Sequence, residues 1–193
     1  MGWFSPIKGH YPSLGQVDKT LPVADNATTI QRGMIIKVAE DATNDEGKFT
    51  VPETIAEGDL LYIALQDYAD AQAGMAGTVG FDANVPSITE GGVTIPGVTA
   101  KVPTITGLSI DAEGEYETDQ FAPDLLSDPA AKVGLALTVT NGLLSKASGG
   151  NRVVGYLTGK VYSRWINNAT AKQAGGKVVR QGDSRNVIRF RTK

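Results

Sequence analysis

The sequence predicts an all-β protein: a compact β-barrel or sandwich body with an extended N-terminal arm and a C-terminal strand tail. Three observations lead there. The 193 residues include 23 Gly and 9 Pro, a turn-rich composition that suits many short elements rather than a helical bundle. Short runs rich in Val, Ile, Leu, Thr and Tyr recur between clusters of Gly, Asn and Asp. Finally, Leu135-Ala136-Leu137-Thr138-Val139-Thr140, then Asn141-Gly142, then Leu143-Leu144 reads as a hairpin, because Asn-Gly supplies the two positive-φ residues of a type I′ turn.

The elements follow in order. Residues 1–30 hold Trp3, Phe4, Pro6, Gly9, His10, Tyr11 and Pro12 without helical or strand periodicity. They are expected to form an extended arm that packs on another surface, and deletion of residues 1–12 is expected to leave a folded protein. Met34 to Ala39 is strand-like, and Asp41 to Gly47 is a turn cluster. Lys48 to Val51 is a second strand. Leu60-Leu61-Tyr62-Ile63-Ala64-Leu65 is an apolar run bounded by turn residues, which suits a buried strand. A loop from Gln66 to Met75 precedes a strand over Gly77 to Phe81.

Residues 85–106 alternate Val, Ile and Thr with Pro and Gly, which suits edge strands or an inserted ribbon, because proline cannot donate to a central ladder. The body thus spans 31–160 and includes that ribbon. Val153 to Tyr162 reads as one or two strands. The tail, 161–193, ends in Lys177-Val178-Val179-Arg180 and Asn186-Val187-Ile188-Arg189-Phe190-Arg191, whose alternation of basic and apolar residues suits an edge or intersubunit strand. The only helix candidates are short, Asp67 to Ala76 and Thr118 to Asp128.

Charge is strongly segregated. Residues 151–193 carry ten basic residues against Asp183 alone, a net +9, and the preceding 150 residues carry −12. Either the tail meets an acidic partner, or it folds back on its own acidic body. The candidate acidic counterpart is Asp111, Glu113, Glu115, Glu117 and Asp119, which share one face if the segment is extended. Tyr162, Trp165 and Phe190 among the basic residues would permit stacking on single-stranded nucleic acid, but the −12 body would repel that polymer.

The chemistry-bearing residues are few. There is no cysteine, which removes disulfides, thiolate metal sites and thiol nucleophiles. The one histidine, His10, lies in the irregular arm, so neither a histidine-rich metal site nor an anchored catalytic base is expected. Asp41, Asn44 and Asp45 have the wrong spacing for a calcium loop, and Gly175-Gly176-Lys177 lacks the flanking residues of a phosphate loop. No enzyme and no cofactor is expected. The first residues show neither a basic region nor a long apolar run, and no stretch reaches about 18 apolar residues, so synthesis in a cytoplasm and no membrane partner are expected.

Three stretches are familiar as a set. Glu57-Gly58-Asp59-Leu60-Leu61-Tyr62-Ile63-Ala64-Leu65-Gln66-Asp67 continues into Ala69-Asp70-Ala71-Gln72-Ala73-Gly74 and Gly77-Thr78-Val79. Gly114-Glu115-Tyr116-Glu117-Thr118-Asp119-Gln120-Phe121 is the second. The third joins Gly134-Leu135-Ala136-Leu137-Thr138 and Gly142-Leu143-Leu144-Ser145-Lys146 to Arg152-Val153-Val154-Gly155-Tyr156-Leu157. Together they resemble the structural cement, or capsid decoration, proteins of tailed phages across residues 56–159. The insertion at 85–106 and the basic tail after Lys160 depart from the shorter members.

That resemblance implies a non-enzymatic virion protein on the outer surface of an icosahedral phage head, made in the host cytoplasm and clamping neighbouring major capsid subunits. It implies self-association as well, a homotrimer by family analogy, with a homodimer equally able to close symmetrically. The expected capsid or subunit contacts are Trp3, Phe4, His10 and Tyr11 in the arm, and Arg164, Trp165, Arg180, Arg189, Phe190 and Arg191 in the tail. A phage tail or head–neck adaptor would share the composition, and a nucleic-acid-binding module would need the basic tail.

Overall fold

Two antiparallel sheets face each other across the larger of two apolar clusters in the computed structural model. It describes residues 2–9, 19–41, 44–69, 84–85, 88–90, 93–95, 98–99, 103–111, 114–174 and 177–193. The first sheet is built from β1 (Phe4–Gly9), β11 (Gly114–Thr118), β12 (Ala136–Thr140), β13 (Leu143–Lys146), β14 (Gly155–Ala174) and β15 (Lys177–Thr192), in the order β1-β11-β15-β14-β12-β13. The second contains β2 (Lys19–Pro22), β3 (Ile35–Asp41), β4 (Asn44–Thr50), β5 (Leu61–Ala64) and β10 (Thr104–Ser109), in the order β2-β10-β5-β3-β4.

Register explains the core. Tyr116 pairs with Phe190, and Phe190 with Leu157, so these three side chains line up across β11, β15 and β14 on one face. Phe4 stacks on Tyr116 with ring centroids 5.3 Å apart, and Tyr116 meets Phe190 at 5.7 Å. Ile35 and Ile63 pair on the second sheet and meet this face in the same cluster. Burying such side chains contributes about 1.5–3 kcal/mol each before ordering entropy is subtracted.

The second sheet also curls. Its end strands approach each other where Val23 bridges Phe49 and the Ala24 N–H donates to the Phe49 carbonyl at 2.9 Å. Leu21, Ile36, Phe49, Ala64 and Ile105 form the second cluster inside that curl. Gly107 makes room there, since a Cβ would lie 2.8 Å from the Tyr62 Cβ and 3.0 Å from the Phe49 ring. No continuous ladder closes the sheet, so of the two architectures left open by the sequence, the sandwich is the one formed.

The strongest local expectation is met. β12 and β13 pair around Asn141 and Gly142 at φ 51° and 73°, the two left-handed residues that a type I′ turn requires. Other expectations are corrected. The turn cluster at 41–47 is narrower, because β4 begins at Asn44 and pairs with Asp41. Thr118 ends a strand, and only Asp124–Ser127, here α1, is helical in the second helix candidate. In 85–106, β6 (Asn84–Val85) pairs with β9 (Val98–Thr99) and β7 (Ile88–Glu90) with β8 (Val93–Ile95), as the expected ribbon would, whereas Thr104 onward is β10 of the main sheet. The strand expected over Gly77–Phe81 lies outside the described residues.

The two ends of the chain differ most from the sequence reading. The arm is not free: β1 is a strand of the six-stranded sheet, and Phe4 is 3% exposed in the chain's own core. The end of the tail strand is not an edge: residues 188–191 of β15 lie between β11 and β14, and Phe190 is 0% exposed, whereas residues 177–187 pair with β14 alone among the described residues. Phe4 and Phe190 therefore cannot be surface contacts for a partner.

Candidate interface: a charge ladder and a two-stranded ribbon

The basic tail and the acidic strand meet on the solvent-side face of the six-stranded sheet. Glu115 pairs with Arg191 and Glu117 with Arg189 across β11 and β15, so two i, i+2 alternations of opposite sign lie face to face. Glu117 is 0% exposed, roofed by two guanidinium groups. Arg189 Nε donates to Oε1 at 2.6 Å. Arg164 Nη2 lies 3.3 Å from Oε2 but outside hydrogen-bond alignment, so that buried oxygen has charge compensation without a donor. Beside this pair, Arg185 Nη1 donates to Asp119 Oδ2 at 2.6 Å, and Thr158 Oγ1 donates to Glu115 Oε1 at 2.6 Å. Of the two readings of the segregated charge, the fold-back on the acidic body is the one these three arginines adopt.

Carboxylates also fix the start of the chain. The Gly2 and Arg32 N–H groups both donate to Asp67 Oδ1, at 2.9 and 2.7 Å, and Asp67 is 4% exposed. The Trp3 N–H donates to Asp119 Oδ1 at 2.8 Å, so Asp119 holds the first strand with one oxygen and Arg185 with the other. Gly33, at φ +90°, lets this pass closely: a Cβ there would lie 2.5 Å from Thr118 Oγ1 and 2.9 Å from the Trp3 carbonyl. Sequence reading did not find Asp67 or Asp119 as anchors, because a side-chain-to-backbone bond across 65 or 116 positions leaves no local pattern.

Past the ladder, β14 and β15 leave their neighbours. β11 follows β15 only from Arg191 to Ile188, and β12 follows β14 only at Gly155 and Tyr156. The two strands nevertheless stay paired from Val161↔Val187 out to Ala174↔Lys177. Residues 161–187 are thus a two-stranded ribbon with no third strand among the described residues. From Val187 to Lys177 it runs ten residue steps, roughly 33 Å of extended chain. Bulges between Val161 and Arg164 and between Asn167 and Ala171 add local twist.

The root of the ribbon is tied down. Arg164 and Arg185 hold the two carboxylates, Lys160 Nζ donates to the Asp128 carbonyl at 3.1 Å, and Tyr162, 60% exposed, donates to the Leu126 carbonyl at 3.3 Å. Asp128 in turn has its carboxyl held below the usual range by the Ala130 N–H and by Lys146.

Of the sequence-predicted contacts, Trp3 is half-buried just before the first strand, and Arg164, Arg189 and Arg191 border the ladder. Arg180 and Trp165 occupy ribbon rungs opposite Ala171 and Ser184. His10 and Tyr11 lie outside the described residues. Among the described residues no cluster of three or more His, Asp or Glu could hold a metal ion, and no helix is long and apolar enough to cross a membrane.

Comparison of the chain with family models, with curated proteins and with solved structures finds no match in any of the three.

Proposed function

We propose that this chain is a non-enzymatic virion structural protein that binds the outside of a tailed-phage head and cements neighbouring major capsid subunits. The observation that carries the reading is the ribbon over 161–187, a long element whose strands pair with each other and with no third strand among the described residues. Such an element supplies reach across a boundary between capsomers, and its backbone edges can extend a sheet in a partner, where hydrogen bonds give affinity. The ladder around Glu117 and Asp119 sets its direction by clamping its root.

The stretches that resemble cement proteins support the reading at the level of the body. Leu61, Ile63, Tyr116, Leu137, Leu144 and Leu157 all belong to the main apolar cluster. Arg152 also ties the third stretch to the first, its Nη1 donating to the Asp59 carbonyl at 2.6 Å. A cement that binds only the assembled shell stabilises it by linkage, by about 2.7 kcal/mol per site at a hundredfold excess over Kd. Partners on this reading are the major capsid protein and further copies of the chain, with a homotrimer favoured.

The test is to mix the purified protein with expanded, undecorated heads, pellet them and heat the pellet. Stoichiometric co-sedimentation with a raised disruption temperature is the expected result. Absence of binding, with the protein found instead at the tail or neck of virions, would replace this reading with an adaptor role.

A further inference from the structure

We infer that the β14–β15 ribbon docks on the acidic surface of a second copy of this chain, so that copies link head to tail through ribbons. The inference concerns the free chain and needs no capsid, so it stands or falls separately from the cement reading.

The backbone calls for a partner. A two-stranded ribbon is marginally stable in water by itself, and its edges present unpaired N–H and C=O groups. The Gly155–Thr192 segment has no proline to blunt those edges. Its free length therefore gains from a surface that covers it.

Charge names the partner. Residues 161–187 carry Arg164, Lys172, Lys177, Arg180 and Arg185 against Asp183, a net +4, so the rest of the chain is −7. At the root, Arg164 and Arg185 are matched to Glu117 and Asp119 of the same chain. Farther out the register places residues 172, 177 and 180 on rungs distant from that root. Lys177 is eight residue steps past Arg185 along β15, roughly 26 Å of extended strand, or about three screening lengths at physiological salt. Meanwhile Glu40, Glu53, Glu57, Asp111 and Asp124 are exposed on the body. A molecule with a basic extension and an acidic body complements a copy of itself, whereas the −7 remainder opposes a polyanion such as nucleic acid. The contact joins two different surfaces, so it repeats as a ring where the rotation closes and as a chain where it does not.

The experiment measures the mass of the intact protein in solution by light scattering and sedimentation, at about 20 mM and about 500 mM salt, where the screening length falls from about 20 Å to about 4 Å. The expected result is an oligomer at low salt that dissociates at high salt. The variant Lys172→Glu/Lys177→Glu/Arg180→Glu is expected to weaken association at least about tenfold while keeping the wild-type unfolding temperature. A second variant, with residues 166–183 replaced by Asn-Gly so that Arg164 and Arg185 remain, is expected to be monomeric and folded. A monomeric wild-type protein at low salt overturns the inference, as does an undiminished oligomer in either variant. Wild-type protein that stays monomeric but binds single-stranded DNA with a steep salt dependence overturns it in favour of a nucleic-acid partner. Head co-sedimentation is scored independently: binding by a monomer would retain the cement reading alone, and an oligomer that ignores heads would retain this inference alone.

Discussion

Glu117→Gln isolates the energetics of the ladder with little change of shape. The carboxylate is fully buried beneath Arg189 and Arg164, whose side chains are 39% and 45% exposed. Glutamine can still offer its carbonyl to Arg189 Nε, but the negative charge facing two guanidinium groups is gone. In one orientation its amide nitrogen replaces Oε2, 3.3 Å from Arg164 Nη2, and sets donor against donor. Breaking a fully buried pair costs about 3–5 kcal/mol, and loss of a charge-assisted hydrogen bond about 1.5–3. The guanidinium groups can regain water through their exposed edges, which places the expected loss at about 2–3 kcal/mol. For a chain of this size that lowers Tm by about 5–10 °C. Urea unfolding followed by tryptophan fluorescence, with calorimetry in parallel, measures both quantities. Arg164→Ala strips the charge facing Glu117 Oε2 but opens that oxygen to water, with an expected loss of about 1–2 kcal/mol, smaller than that of Glu117→Gln. A Glu117→Gln protein within about 0.5 kcal/mol of wild type would refute the reasoning, because the ladder would then be decoration on a sheet held by its apolar face alone.

Other expectations follow from the same geometry. Phe4→Ala removes a ring stacked on Tyr116 and is expected to cost about 3–5 kcal/mol in urea unfolding; deletion of residues 2–9 is expected to yield an unstable protein rather than a folded body lacking an arm. Gly142→Ala places a Cβ at φ 73° and 2.6 Å from the Met34 Cε, with an expected loss of about 1–2 kcal/mol by thermal denaturation. Burial raises the Tyr116 phenol above its ordinary value of 10.0, and burial followed by the nearby Asp111 charge does the same to Tyr62. Folding thus favours the protonated phenols: their contribution is complete below pH 10 and is lost as pH rises through the higher folded values. Stability measured from pH 8 upward is therefore expected to fall above about pH 10, less steeply in Tyr116→Phe.

How much of this was legible depended on whether the signal was local. The β12–β13 hairpin announces itself in two residues, since Asn141-Gly142 both sit where only such residues sit comfortably. The buried strands around Ile35 and Ile63 are readable as short apolar runs between turns. The position of β15 was not, because a charged alternation reads as an edge when its partner strand is out of view. Glu117 and Arg189, 72 positions apart, explain each other only once paired. The signal was present all the same, in matched i, i+2 alternations of opposite sign at Glu115/Glu117 and Arg189/Arg191. The first strand was misread for a related reason: Pro6 and Gly9 erase periodicity, and what holds Gly2 and Trp3 is a pair of distant carboxylates.

The place of β15 in its sheet also bears on the order of synthesis. It joins β1-β11 on one side to β14-β12-β13 on the other, yet it follows every one of them along the chain. While the protein is being made, these two half-sheets have no seam between them, and the faces of Tyr116 and Leu157 lack Phe190. A nascent chain stalled before Lys177 would therefore hold two sticky fragments instead of one sandwich. Closure of the body and completion of the ribbon happen in the same event, so the chain gains its reach only when it has also gained its fold.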